Sequence, residues 1–398
     1  MGKAGKPGYM THSAVRTTLS VILLWLVGLG AAGQFAKLAV PFDLLQAAYP
    51  DAGARLGWSL TLISAIGAVF GMTAGVFVVN WGLKRVIIAA LLIGAAMSFW
   101  QATLPALPVF LISRVVEGIS HLMIVVAAPT LLAQTCSDRY RGVGMTLWST
   151  FFGVSFAIVA WLGMPFANAH GLGACLAAHG GCMALLALAV AFGVLREAGR
   201  RHGAPNFDLA GILRQHKRAY QSPRTSAPAY GWLFYTTTFV ALLAVLPGEI
   251  DENHRALIVG LMPLVSIAVA LVLVGAALSV TSACTLVIIG FLGGAATCAS
   301  YYLGVPMGFF ALTLFAVLGL VQGASFALVP ELNEGAGDQA LANGAMAQLG
   351  NLGNLLGTPV LLAVLGLGTG VLIAALMALY LGGAGVHVWL RRRRAVLG

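Results

Sequence analysis

Twelve long apolar runs fill most of this sequence and limit what the chain can fold into. Each is close to the roughly 20 residues that an α-helix needs to cross the hydrocarbon core of a bilayer. Hydrophobic residues make up 60% of the 398 residues and charged residues only 9%, against about 25% charged in an average soluble domain. A soluble protein of this length has no way to bury so much apolar surface. The sequence therefore predicts an all-α integral membrane protein.

The runs set the predicted transmembrane helices and the division of the chain. They lie at 17–45, 57–83, 84–104, 107–134, 142–167, 171–195, 229–247, 256–278, 283–303, 306–331, 339–366 and 369–390. The longest polar gap follows the sixth run. We therefore predict an N-terminal six-helix bundle (1–195), a cytoplasmic linker (196–228) and a C-terminal six-helix bundle (229–398).

Short sequence echoes relate the two predicted halves. "VEGIS" at 116–120 and "VQGAS" at 321–325 lie at corresponding places in the fourth run of each half. "RGVGM" at 141–145 and "ANGAM" at 342–346 each open the next run. Together with the six-plus-six count, these echoes favour two bundles related by a pseudo-two-fold axis along the membrane normal.

The predicted linker contains the stretch "NFDLAGILRQHKRAY" at 206–220. With helical spacing, one face of this stretch carries Leu209, Ile212, Leu213, His216 and Tyr220. An amphipathic helix on the inner membrane surface is the preferred interpretation. A flexible linker is the alternative.

Basic residues indicate the orientation of the chain. Those on one side of the predicted membrane are Lys3, Lys6, Arg16, Lys84, Arg85, Arg139, Arg141, the cluster from Arg196 to Arg224, and Arg391 to Arg394. The opposite side has only Arg55 and Arg255. Since cytoplasmic loops carry the excess of Lys and Arg, we predict a multi-pass protein of the plasma (inner) membrane with both termini cytoplasmic. The net charge is +10, but this placement of the basic residues argues against a nucleic-acid partner.

Ionisable residues inside the fourth run are the first candidates for function. In "LISRVVEGISH" at 111–121, helical spacing aligns Arg114, Glu117 and His121 on one face. Charges inside a membrane span are costly and usually mark a functional site. We interpret Glu117 and His121 as groups for proton coupling or charge pairing. An ion pair that only holds neighbouring helices together is the alternative.

Several motifs resemble those of the major facilitator superfamily of secondary transporters. The family's loop motif GxxxDRxGRR is similar to "GVFVVNWGLKR" at 75–85, in which Gly75, Gly82 and Lys84 match and Arg85 follows. Val79 and Asn80 replace the motif's acidic and basic residues, so its charge relay is missing. "RVVEG" at 114–118 matches the family's RxxxG, and "SDRYRGVGMTLWSTFFG" at 137–153 resembles the entry to its fifth span. The resemblance implies alternating access between two six-helix halves.

Glycines at four-residue spacing form close-packing stripes on two runs. Gly67, Gly71 and Gly75 lie on one face of the second run, and Gly353 and Gly357 share a face of the eleventh. The resemblance implies that these two spans face each other between the halves. We assign gating or helix packing to both stripes and to Gly82, Lys84 and Arg85.

The resemblance also places the first, fourth, seventh and tenth spans around a central cavity. Gln34 and Lys37 share a face of the first run, and Lys37 lies at about the depth of Arg114. Two cations on such faces predict an anionic small-molecule substrate. Snorkelling of Lys37 to the outer interface is the alternative.

The second half offers amides and hydroxyls instead of charges. Gln322 matches the position of Glu117, Tyr235 lies in the seventh run, and Asn351 belongs to a polar ridge on the eleventh. We assign substrate binding to Gln34, Lys37, Arg114, Tyr235, Gln322 and Asn351. The amides and hydroxyls can also join helix to helix.

The function predicted from these features is secondary transport of a small organic anion, with proton symport as a further expectation. The alternatives are a proton-driven exporter of drugs or metabolites with the same fold and, more remotely, a membrane enzyme or receptor without transport. The sequence has no HExxH, CxxC or GxxxxGK[ST] motif, so we predict no enzyme, no cofactor and no metal. The family's antiporter signature is also missing, which disfavours the exporter.

Overall fold

The structure is a computed structural model that describes residues 8–74, 78, 81–136, 144, 145, 147–195, 209–334 and 336–397. Within these residues, 12 helices are long and apolar enough to cross a membrane. We number them spans 1 to 12: Val15–Ala39, Pro50–Phe70, Leu83–Ala102, Leu107–Thr135, Phe151–His170, Leu172–Phe192, Ser226–Glu249, Glu252–Ala277, Ala283–Tyr301, Met307–Leu332, Gly337–Leu365 and Thr369–Val396. The predicted all-α, twelve-span membrane fold is confirmed.

The end of span 1 and the start of span 2 differ from the prediction. The helix of span 1, Gly8–Ala39, ends before the predicted residue 45, and a short helix, Phe42–Ala48, follows it. Pro41 lies between them and has no backbone N–H for an intrahelical hydrogen bond, which ends the first helix. Span 2 begins at Pro50 instead of residue 57, because a 3₁₀-helix, Pro50–Leu56, precedes its α-helical part.

The helices of spans 2, 5 and 8 are not regular throughout. Span 2 consists of the 3₁₀-helix, Gly57–Thr61, a 3₁₀ turn at Leu62–Ser64 and Ala65–Phe70. Spans 5 and 8 each contain a π-helical segment, at Val159–Gly163 and Val269–Leu273. Such segments interrupt the regular ladder of i→i−4 hydrogen bonds and are frequent at functional places in helices.

Two antiparallel helix pairs connect the predicted halves. Span 2 packs along span 11, and span 5 packs along span 8. In the second pair, Gly153 lies against Ile267, and Gly260 lies against the indole of Trp161. Glycine leaves room for these close approaches, because any added Cβ would overlap the opposite side chain.

Apolar side chains from both predicted halves form one buried cluster. It includes Phe35 and Phe156 from the first six spans and Tyr235, Phe239 and Phe315 from the last six. Phe152 bridges them, with its ring 5.7 Å from that of Phe35 and 6.2 Å from that of Phe239. The division into bundles at 1–195 and 229–398 stays a prediction.

A linker helix, Leu209–Gln221, lies between spans 6 and 7. Its Tyr220 hydroxyl donates to Gln348 Oε1 of span 11 at 2.7 Å, and Arg218 pairs with Asp338 at 2.6 Å. Burial raises the pKa of Tyr220 to about 12, so the phenol is neutral and donates at physiological pH. Residues 196–208 of the predicted linker lie outside the described residues.

Candidate functional site

The carboxylate of Glu117 lies at the centre of a buried polar network in the first six spans. Lys37 Nζ donates to Glu117 Oε1 at 2.7 Å, Gln101 Nε2 donates to Oε2 at 2.8 Å, and Arg114 Nη1 also donates to Oε2. Lys37 is 1% exposed, whereas Arg114 and Glu117 are fully buried. We call Lys37, Arg114 and Glu117 the charge triad. It contains two cations and one anion, so its formal charge is +1.

Local helix geometry explains how the triad forms. Arg114 and Glu117 lie one turn apart on span 4, where residues i and i+3 share a face. Lys37 lies in the last turn of the span 1 helix, where the negative end of the helix dipole stabilises a cation. Because Lys37 is buried and paired with Glu117, it does not snorkel to the interface.

The backbone of neighbouring spans completes the guanidinium contacts of Arg114. Its Nε donates to the carbonyl of Ser59 in span 2 at 2.6 Å, and its Nη2 donates to the carbonyl of Gln34 in span 1 at 2.9 Å. Gly118 allows this approach, because an added Cβ there would overlap the carbonyl oxygen of Ile63. Arg114 thus links spans 1, 2 and 4.

Three residues of this network were not predicted from the sequence. Ser98 Oγ accepts from Lys37 Nζ at 2.6 Å and lies 2.9 Å from His179 Nδ1, while His179 Nε2 lies 3.0 Å from the carbonyl oxygen of Gly30. Gln101 contacts Glu117 as described above. Ser98 and Gln101 share a face of span 3 at i, i+3 spacing, and that polar pair in an apolar run was a usable signal.

The imidazole of His121 hydrogen-bonds to the backbone of span 1. Its Nδ1 lies 3.1 Å from the carbonyl oxygen of Ala31, and its ring packs edge-on against Phe35 with the centroids 4.9 Å apart. Gln34, assigned to substrate binding, donates through Nε2 to Ser120 Oγ at 2.7 Å. Helical spacing placed His121 on the face of Glu117, but its hydrogen bond goes to span 1.

A neutral cluster occupies the related position in the second half. Tyr235 donates its hydroxyl to Gln322 Oε1 at 3.1 Å, and Ser266 Oγ donates to the same oxygen at 3.2 Å. Tyr235 and Ser266 are buried. Spans 7, 8 and 10 are therefore joined at one amide oxygen.

The contacts of Asn351 and Gly67 lie between spans 2 and 11. An added Cβ at Gly67 would overlap the side chain of Asn351, and one at Gly71 would lie 3.0 Å from the Cα of Gln348. Asn351 Nδ2 also donates to the carbonyl of Ala347 at 2.8 Å. Asn351, assigned to substrate binding, thus packs in the contact between the two predicted halves.

The glycine stripe of span 11 packs against span 7. Added Cβ atoms at Gly353 and Gly357 would overlap Thr236 and the carbonyl oxygen of Thr237, both in span 7. Gly353 and Gly357 therefore pack against span 7 and not against span 2. They lie on the other side of span 11, where close packing joins it to its neighbour within the second half. Gly75 lies outside the described residues.

The motif residues at the start of span 3 contact the end of span 6. Lys84 Nζ donates to the carbonyl of Leu195 at 2.9 Å, next to the carbonyl of Val194 that accepts from Arg16. Gly82 precedes the span 3 helix with a φ of 92°, a conformation that favours glycine. Arg85 lies beside it and is exposed.

Comparison with known families agrees with this architecture. The family model described as Major Facilitator Superfamily matches residues 8–358. A search of curated proteins found no match for the chain.

Proposed function

Because the chain belongs to the major facilitator superfamily and is a secondary transporter, we propose that it carries a small organic anion by alternating access and couples this movement to a proton. The charge triad is the observation that carries the proposal. The carboxylate of Glu117 is ion-paired with two cations, Lys37 and Arg114. The same two cations could bind a substrate carboxylate in the same way.

Formal charge supports a proton as the coupled ion. If a substrate carboxylate takes the cations, Glu117 is left as a buried carboxylate without a cation beside it, which is costly in an apolar interior. Binding one proton to Glu117 removes that cost. The site then holds two cations, one carboxylate and one neutral acid, so its charge stays at +1. The proposal therefore predicts one proton for each substrate carboxylate.

The neutral cluster of Tyr235, Ser266 and Gln322 is proposed to bind the uncharged part of the substrate. These groups lie on spans 7, 8 and 10 and offer hydrogen bonds without charge. The contact between spans 2 and 11, with Gly67 against Asn351, is proposed to open and close as the halves rock. We further propose that the face carrying Lys84 and Arg391 to Arg394 is cytoplasmic, with the protein in the inner membrane.

A thermal-shift series followed by flux tests the proposal. Acetate, lactate, succinate and benzoate are added to the purified protein, since a ligand that binds the folded state raises the apparent melting temperature. Lys37→Gln and Arg114→Gln are expected to lose the shift, while Arg55→Ala, an exposed cation outside the triad, keeps it.

The bound carboxylate is then offered to proteoliposomes with an imposed pH gradient. Faster uptake along the proton gradient, at one proton per carboxylate, supports the proposal. An uptake rate that does not change with the pH gradient would contradict the proton coupling. An unchanged thermal shift in both triad variants would contradict the anion site. If the protein makes cells resistant to a drug panel and takes up no carboxylate, an exporter would be favoured.

A further inference from the structure

We propose that His179 exchanges a proton with Glu117 through Lys37 and Ser98, and we call these four residues the relay. The inference deepens the proposed function, because it rests on the proton step at Glu117. Sequence reasoning gave the histidine role to His121, which instead bonds to the carbonyl of Ala31. His179, on span 6, is the histidine that the hydrogen bonds connect to the triad.

The hydrogen bonds of the relay have a defined direction. A carbonyl oxygen only accepts, so His179 Nε2 carries the hydrogen that points to Gly30. The neutral ring then has an unprotonated Nδ1, which accepts from the hydroxyl of Ser98. Lys37 has only donors, so Ser98 Oγ accepts from it. The three hydrogen bonds, from Lys37 to Ser98, from Ser98 to His179 and from His179 to Gly30, therefore run in one direction.

The fold holds the imidazole in place against span 1. An added Cβ at Gly33 would lie 2.9 Å from the His179 ring, so glycine leaves the space that the ring occupies. The charged groups that act on His179 are Lys37 from span 1 and Arg114 and Glu117 from span 4. Ser98 on span 3 supplies the uncharged link between them.

One proton moves through the relay without a change in its middle members. Ser98 first passes its hydroxyl proton to His179 Nδ1 and takes one of the three ammonium protons of Lys37, which leaves a neutral amine. The lone pair of that amine then accepts the proton of protonated Glu117, whose O–H bond breaks. The products are the Glu117 carboxylate and a His179 imidazolium, with Lys37 and Ser98 restored. The reverse sequence protonates Glu117 and returns His179 to its neutral form.

The two ends of the relay differ in burial. Glu117 is fully buried and Lys37 is 1% exposed, whereas His179 is partly buried.

Nitrogen NMR of the full-length protein, labelled with ¹⁵N-histidine and placed in nanodiscs, tests the relay without any substrate. His179→Gln assigns the signals and His254→Gln, an exposed histidine, is the control. We expect the Nε2–H tautomer for His179 at neutral pH and a titration midpoint that moves in Glu117→Gln. In Ser98→Ala the Nδ1 signal should shift, because Nδ1 loses the hydroxyl that donates to it. A protonated Nδ1 in the neutral ring would overturn the relay. So would a His179 titration midpoint that neither Glu117→Gln nor Ser98→Ala changes.

Transport gives a second, separate readout with the carboxylate identified by thermal shift. His179→Gln and Ser98→Ala should keep exchange of that carboxylate across proteoliposomes but lose at least tenfold in uptake driven by a pH gradient. Gly33→Ala should act in the same way by displacing the ring. Gly181→Ala, whose Cβ meets no atom within 4 Å, is its matched control. Full pH-driven uptake in His179→Gln would reject the relay. If the wild type moves no carboxylate, the proposed function fails and the NMR result alone decides the relay.

Discussion

The Tyr235 hydroxyl lies 3.1 Å from Gln322 Oε1 and joins span 7 to span 10. Lys37 and Glu117 join spans 1 and 4 of the first half at 2.7 Å. Gln322 stands where the sequence echo places Glu117, so both halves connect the same pair of helices at related positions. The first half uses opposite charges and the second uses a neutral hydrogen bond.

The charge triad should respond unequally to the loss of its members. Glu117→Gln leaves Lys37 and Arg114 as two buried cations, whereas Lys37→Gln leaves a neutral Arg114–Glu117 pair. We expect Glu117→Gln to lower the free energy of unfolding by about 3–5 kcal/mol, the usual cost of stranding a buried charge, and Lys37→Gln to cost less. Unfolding in detergent, followed by tryptophan fluorescence, measures both. A larger loss in Lys37→Gln would show that the triad does not carry a net positive charge.

Removing the hydroxyl of Tyr235 should change affinity without changing proton coupling. In Tyr235→Phe, Gln322 Oε1 keeps its bond from Ser266, and one neutral hydrogen bond is lost, worth about 0.5–1.5 kcal/mol. We expect KM for the transported carboxylate to rise about two- to tenfold. The pH dependence of uptake should match that of the wild type. A shifted pH profile would place Tyr235 in the proton path instead.

A second substitution should restore the stability lost in Gly67→Ala but not the stability lost in Gly71→Ala. Each change crowds the contact between spans 2 and 11 and should cost about 1–3 kcal/mol of stability. At Gly67 the added Cβ meets the side chain of Asn351, so Asn351→Ala should restore most of the loss. At Gly71 it meets the backbone of Gln348, which no truncation removes. Melting temperatures of the single and double variants decide, with Asn351→Ala alone as the control.

The two contacts of the linker helix should differ in their response to salt. Arg218 and Asp338 are 68% and 42% exposed, so Arg218→Ala should cost less than about 1 kcal/mol, and only at low ionic strength. Tyr220→Phe removes an uncharged hydrogen bond and should weaken docking at any salt concentration. The rate of proteolytic cleavage in the linker at low and high NaCl measures docking. Equal salt dependence in both variants would contradict this distinction.

Length and hydropathy predicted the twelve spans because the bilayer imposes them on each helix separately. Helical spacing likewise predicted that Arg114 and Glu117 share a face, since that relation lies within one helix. One boundary error, at the end of span 1, arose where Pro41 ended a helix inside an apolar run.

Contacts between helices were harder to predict, because they depend on how each helix is rotated about its axis. The pairing of Lys37 with Glu117 and the link through Ser98 to His179 join four different spans. For the same reason, the sequence did not show that Asn351 packs on Gly67 or that Gly353 packs against span 7. The proposed roles of these residues in transport stay predictions.

The charge triad also has a consequence for how the protein is made. Lys37 and Glu117 are 80 positions apart in sequence, so the ribosome delivers the cation long before its partner. Until span 4 emerges, span 1 carries a lysine near one end of its helix with no acid to pair with, which favours leaving it at the membrane interface. We therefore expect stable insertion of the first helix to depend on the fourth.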